Sequence, residues 1–428
     1  MTRILILLLA LAIGFTAPPA EAQTRTRIEV WSQIGPGPEN SRTRAMTEVL
    51  DSFRRKHPDI DVNITTMAWD QLSPTLLRAA RANQAPDVAM LLSANMPTHI
   101  AARTLMTLDP HLNRLAAADR ADIVSLSSAR NRAGETFGVP FEIRVSGFAY
   151  RHDLVTAGGR DVPRSLDELA NVMGTLATGD TVGLGMGWNP AQSINSSVWF
   201  LSVLLGENVR VLNEDGTAGF ATPAAARVVQ WVLDQTRREG AYPMGVAMGG
   251  LEAAQQLFIA GKVLFLPTAT ARLDFIRDRS QLGANVRMMP YLTFTPDRPA
   301  PAMITSWNLV MPRGTRNAQA AWRFIEHWIS RDVQVEQARI AAYIPVRTSA
   351  LSDPLFQRPE SDAIRWAVEH AAAHPMQFEF PENIDLLYDV WARMFGQVLN
   401  GRMTPAEGLE RAAADYNQAI RRAPGAPR

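Results

Sequence analysis

Residues 27–32 alternate apolar and polar positions as a half-buried strand does, and they run into a Gly/Pro-rich loop at 34–39. Met46, Val49, Leu50 and Phe53 then recur at helical spacing, and Pro58 closes that pattern ahead of a β-branched run at 62–66. The unit repeats, with a helix predicted over about 69–83, a buried strand at 87–92 and a further helix past Pro97. Strands alternating with helices of this length imply a mostly parallel, doubly covered α/β sheet, whose ligands bind beyond the carboxyl ends of the strands. The loops after Trp31 and Leu92 are therefore candidate binding loops, and they bring forward Gln33, Ser93 and Asn95.

Further along, 134–150 reads as a hairpin-like pair, 138–140 and 145–150. Ser165 with Glu168 three residues on marks a helix start. Helical patterns flank a polar turn between 195 and 239, and 251–259 is amphipathic ahead of a short strand at 263–266. A strand at 307–311 precedes a helix at 318–329, and three helical patterns close the chain at about 362–374, 384–400 and 404–422.

Composition narrows the setting. The chain has 428 residues, so it has room for two or three domains, and 43 basic against 42 acidic residues call for no nucleic acid. Arg3, an apolar run at 4–15 and the small-residue pattern Ala20-Glu21-Ala22 have the build of a cleavable secretory signal over residues 1–22. The absence of Cys excludes disulfides, thiolate metal sites and a lipid-anchored N-terminus together. The expectation is a free periplasmic protein held by burial alone.

Ten Trp residues are the next feature. Aromatic faces suit sugars, because C–H groups pack on the ring while the hydroxyls seek polar partners at its edge. Trp31 ends the first strand, Trp69 precedes a helix and Trp188 stands in the loop Gly185-Met186-Gly187-Trp188-Asn189-Pro190; ligand contact is the favoured reading of Trp188. Trp199, Trp322, Trp328 and Trp366 lie at helical spacing with apolar neighbours and are assigned to packing.

Several segments resemble family 1 of the extracellular solute-binding proteins, which includes the maltose and glycerol-3-phosphate binders. They are Phe53-Arg54-Arg55-Lys56-His57-Pro58, Ala85-Pro86-Asp87-Val88, Gly138-Val139-Pro140-Phe141, Phe148-Ala149-Tyr150-Arg151, Phe258-Ile259-Ala260-Gly261-Lys262 and Tyr343-Ile344-Pro345-Val346-Arg347. The resemblance implies a type II periplasmic binding protein fold with two discontinuous α/β lobes, a hinge and a ligand cleft between them. One lobe would hold about 24–138 and 296–342, the other 139–295 and 343–428. It implies a small-molecule solute, of carbohydrate kind, and ABC transporter permease subunits as partners, with the protein a monomer that needs neither cofactor nor metal. It also implies cleft positions: Glu142 and Arg144 after the Pro-Phe pair, which equally fit a hinge-side ion pair, Thr268 and Arg272 after the strand at 263–266, Trp307, Tyr343, Arg347 and Tyr388. The chain departs from the family at Ser93-Ala94-Asn95, where the maltose binder places charged side chains, and at Tyr388, where the glycerol-phosphate binder places an Arg.

Two other classes stay open from the sequence. No Gly-x-Ser-x-Gly, Walker A or His-Glu-x-x-His motif is present, but a secreted glycoside hydrolase needs only two suitably spaced carboxylates. A periplasmic sensor subunit would use the same cleft.

Overall fold

The computed structural model describes residues 25–422, apart from residue 132 and six positions between 375 and 383. The expected leader lies outside the described residues. Eight strands form: β1 (Thr26–Ser32), β2 (Ile60–Thr66), β3 (Val88–Leu92), β4 (Val139–Arg151), β5 (Val182–Leu184), β6 (Val263–Ala269), β7 (Val286–Met289) and β8 (Ile304–Val310). Their order is β2-β1-β3-β8-β4-β6-β5, with β7 pairing β4.

Local chemistry explains two of the helix starts that matter for the site and the second core. Asn40 accepts from the backbone N–H groups of Arg42 and Thr43 while Thr43 answers the Asn40 N–H, so the helix Ser41–Lys56 starts where β1 and its loop deliver the chain. Ser165 caps Leu166–Leu176 through the Glu168 N–H, as its spacing predicts. The helix Trp69–Arg81 carries Pro74 inside it. The amphipathic segment at 251–259 forms Leu251–Ile259, and the three closing helices are Asp362–Ala373, Ile384–Leu399 and Pro405–Arg422.

The hairpin expected over 138–150 is instead the single strand β4. Its first half pairs antiparallel with β8, from Val139↔Leu309 to Val145↔Ile304, with a register shift between Pro140 and Glu142. Its second half pairs with β6 and β7, beginning at Ser146↔Ala269. The polar residues Glu142 and Arg144 look like a break in an apolar run, yet they lie within a continuous strand.

Two large cores result. The first gathers β1, β2, β3, the first half of β4 and β8 with Phe53, Phe324 and Trp328. The second gathers Phe148, Trp188, Trp199, Phe200, Trp391 and Phe395, and it includes Met303 just before β8. Neighbouring residues Val145 and Phe148 thus serve different cores. Ile344, Val346 and Phe356 pack in the first core, so the stretch following Tyr343 stays there rather than passing at once to the second. The cause is local: Gln334 accepts from the Val346 N–H, and Arg347 donates to the carbonyls of Ile329 and Asp119. The chain returns by way of the helix Asp362–Ala373, whose Asp362 binds Arg277 at 3.0 Å.

Where β4 passes between cores the packing is tight. The Ser146 N–H donates to the Met303 carbonyl at 3.0 Å, and the Val145 N–H donates to Thr270 Oγ1 at 3.2 Å. A Cβ on Gly147 would lie 2.5 Å from the Met289 carbonyl oxygen and 2.7 Å from the Trp366 ring. Only glycine fits that approach. Among the described residues, no helix is long and apolar enough to cross a membrane.

Candidate functional site

The strongest concentration of buried charge lies where the two cores meet. Glu142 on β4 is fully buried and holds two guanidinium groups, Arg42 Nη2 at 3.0 Å and Arg144 Nε at 2.9 Å. A buried carboxylate is tolerated only when its oxygens are satisfied, and here each oxygen has its own arginine. Arg42 also donates from Nε to the Tyr343 hydroxyl at 2.9 Å. Arg144 lies over the Trp307 ring, 5.6 Å from its centroid, within cation–π range. The helix start fixed by Asn40 places Arg42; the alternation of β4 puts Glu142 and Arg144 on one face.

Arg272 reaches this cluster from the second core's side. It follows β6 and faces the helix Leu251–Ile259, with Glu252 Oε1 at 3.6 Å and Gln255 Oε1 at 3.4 Å. Burial and the positive fields of Arg144 and Arg42 push the Arg272 guanidinium below its ordinary value, against the pull of Glu252. Burial also lowers Arg144, with Glu142 opposing and Arg42 reinforcing. For Arg42 burial acts downward, but Tyr343 and Glu142 more than reverse it. All three remain cations at any physiological pH.

Orphaned polar atoms lie on β6, on β8, on the helix Leu251–Ile259 and in the loop after β1. Thr268 Oγ1 and Trp307 Nε1 are buried without a hydrogen-bond partner, as are Gln255 Nε2 and Gln33 Nε2. Buried polar groups are seldom left so, and a polar ligand is one way to satisfy them.

The expected site residues separate into groups. Glu142, Arg144, Tyr343 and Trp307 come together, with Arg272 and Thr268 on the adjoining β6 side. Trp31 and Asn95 are half-buried near the strand ends, and Ser93 Oγ accepts from the Ser306 N–H at 3.1 Å. Trp69 is 42% exposed and free to meet a solute.

Three expectations need correction. Trp188 is 1% exposed and stacks on Phe395 with centroids 3.6 Å apart, so it anchors the second core instead of offering an open face. Arg347 spends its donors on the carbonyls of Ile329 and Asp119 beside Asp122, which makes it a strut of the first core. Tyr388 is buried among the second core's apolar side chains, and burial and nearby Asp385 raise its hydroxyl pKa.

Sequence reasoning missed Arg42, Glu252 and Gln255. Arg42 was within reach, since it follows Asn40 at the end of a loop already marked as a binding loop. His370 and His374, four apart at the end of one helix, meet at a tilt with centroids 5.3 Å apart, and His370 stacks on Trp366 at 5.2 Å. Among the described residues no group of three His, Cys, Asp or Glu is placed to hold a metal ion.

Comparison with known proteins agrees with this architecture. The family model described as bacterial extracellular solute-binding protein matches residues 48–362. The sn-glycerol-3-phosphate-binding periplasmic protein UgpB of Escherichia coli is 21% identical over 431 residues, covering 96% of each chain. Among solved structures, the GacH receptor of Streptomyces glaucescens aligns with a TM-score of 0.77 at 20% identity, over 94% of this chain and 100% of that one. Maltose-bound MalE3 of T. maritima aligns with a TM-score of 0.77 at 21% identity, over 92% and 100%. Both share the two-lobed fold, and with the family model spanning most of the sequence, this chain belongs to the bacterial extracellular solute-binding proteins.

Proposed function

We propose that this protein is the periplasmic substrate-binding subunit of an ABC importer, and that it captures a sugar or sugar-like polar solute such as an oligosaccharide, a polyol or a glycerol phosphate. The observation that carries the reading is the polar cluster where the cores meet: Arg42, Glu142 and Arg144 on one side, Arg272 and Gln255 on the other. A solute bound there touches groups attached to both cores. Contacts made to both at once favour the arrangement that brings them together, which is how a ligand drives hinge closure. Relatives support the solute class: UgpB binds sn-glycerol 3-phosphate, and structural neighbours hold maltose, tagatose and mannitol.

The reading is of capture without chemistry, with permease subunits taking the loaded form. Its test is a thermal-shift screen of residues 23–428 against monosaccharides, oligosaccharides, polyols and glycerol phosphates. A ligand at 100 times its dissociation constant adds about 2.7 kcal/mol to stability. A stabilising compound recovered unchanged supports the reading; a compound returned cleaved points to a hydrolase, and a panel without any shift refutes the solute class.

A further inference from the structure

We infer that the solute carries a negative charge, a carboxylate or a phosphoryl group that Arg272 and Arg144 grip between the two cores. The inference rests on the solute-capture reading above and deepens it.

The charge count comes first. Three guanidinium groups converge on the junction, and the carboxylates paired with them are Glu142 and Glu252. Among the described side chains one positive charge is left over, in a setting where Glu142 has no solvent contact and the three arginines have little. An unbalanced charge near a low-dielectric wall costs energy that a ligand of opposite sign removes.

Donor geometry comes second. Glu142 occupies Nε of Arg144 and Nη2 of Arg42, and among the described residues no partner takes Nη1 or Nη2 of Arg144. Arg272 holds its acceptors loosely, at 3.4 and 3.6 Å, with the half-exposed Glu252 as its carboxylate among the described side chains. Gln255, whose oxygen receives Arg272, leaves its own Nε2 buried and unpartnered, and Thr268 Oγ1 is in the same condition. Free guanidinium nitrogens beside orphaned neutral donors form a set that an oxyanion completes. A neutral sugar satisfies the orphans but leaves the excess charge. Arginine forks match planar carboxylates and phosphoryl oxygens alike, so the two share one recognition chemistry.

Isothermal titration of the mature protein with matched solutes tests this: glycerol against sn-glycerol 3-phosphate, glucose against glucuronate and glucose 6-phosphate, and sorbitol against gluconate. At least one anionic member is expected to bind about tenfold or more tighter than its neutral parent, the worth of one charge-assisted contact. Whether the carboxylates or the phosphates lead identifies the source of the charge. Arg272→Gln, which leaves the buried Glu142 arrangement intact, is expected to remove about tenfold of the anion's affinity and under about threefold of the parent's. Glu252→Gln removes the competing carboxylate and is expected to tighten the anion severalfold. Neutral parents binding as tightly as their anionic derivatives overturn the charge inference while solute capture stands. An anion affinity indifferent to Arg272→Gln overturns it too, and silence from every neutral and anionic solute sinks both readings.

Discussion

The two cores are both rich in aromatic rings, but they differ in what those rings can do with a proton. In the second core Trp188 stacks on Phe395, and Phe200 meets Trp391 edge-on with centroids 5.0 Å apart, a cluster with no titratable ring. In the first core Phe53 packs edge-on to Phe324 at 5.2 Å and to His327 at 5.4 Å, and His57 stands 4.7 Å from Phe53. His99 is buried in the same half of the molecule, against Thr104 and Ser73. Burial, with the positive charge of Lys56 and His57 behind it, lowers His327 to about 4; burial lowers His99 to about 4 as well. The Trp188–Phe395–Trp391 cluster is therefore pH-indifferent packing, while the cluster around Phe53 depends on an imidazole staying neutral.

The largest effect that would sharpen this contrast is expected in the second core. Trp188→Ala removes the ring stacked on Phe395 and should cost about 3–5 kcal/mol in urea denaturation. A loss under 1 kcal/mol would mean that the ring is not a core anchor. At the junction, Glu142→Gln leaves two guanidinium groups short of their shared carboxylate and should cost roughly 3 kcal/mol, measured in the same way.

Acid should then single out the cluster around Phe53. A histidine held near pKa 4 when folded and near 6.5 when unfolded gives stability that is complete above about pH 6.5 and is lost as pH falls toward 4, because the unfolded chain takes up protons first. Between pH 7 and 5 the loss is on the order of 1–2 kcal/mol per ring. Hydrogen exchange at the two pH values should show helix Ala318–Trp328 opening more readily at pH 5 while Ile384–Leu399 changes little. Equal response in both would break the comparison, and His327→Gln should flatten the acid slope of that cluster.

The smallest expected stability change is at Trp69. Trp69→Ala, at an exposed helix start, should alter stability by less than about 0.5 kcal/mol while weakening solute affinity if its face meets the ligand. Loss of stability without loss of affinity would reverse the roles assigned to it and to Trp188.

These contrasts show which information is local. The helix start at Ser165 was legible because a cap acts within three residues of itself. Trp188 was misread because its glycine-rich neighbours describe a loop, whereas its partner Phe395 arrives from the far end of the chain. Arg42 stood beside a marked loop, but its partner did not show: its worth lies in Glu142, 100 positions away. β4 was read as two strands because polar residues on one face, buried only by their mutual pairing, mimic a turn. Patterns along the chain report which side of an element faces water, and they are silent about which distant groups neutralise a buried charge.

The unbroken run of β4 also sets what kind of motion the molecule can make. One strand is bonded to β8 at one end and to β6 and β7 at the other, so the two halves share a torsion bar rather than a slack tether. Twisting a ladder spreads the strain over many hydrogen bonds, whereas sliding one half past the other would break it. With no room for a side chain on Gly147 beside Met289 and Trp366, just past the change of partners, that point of the bar is the one least able to give.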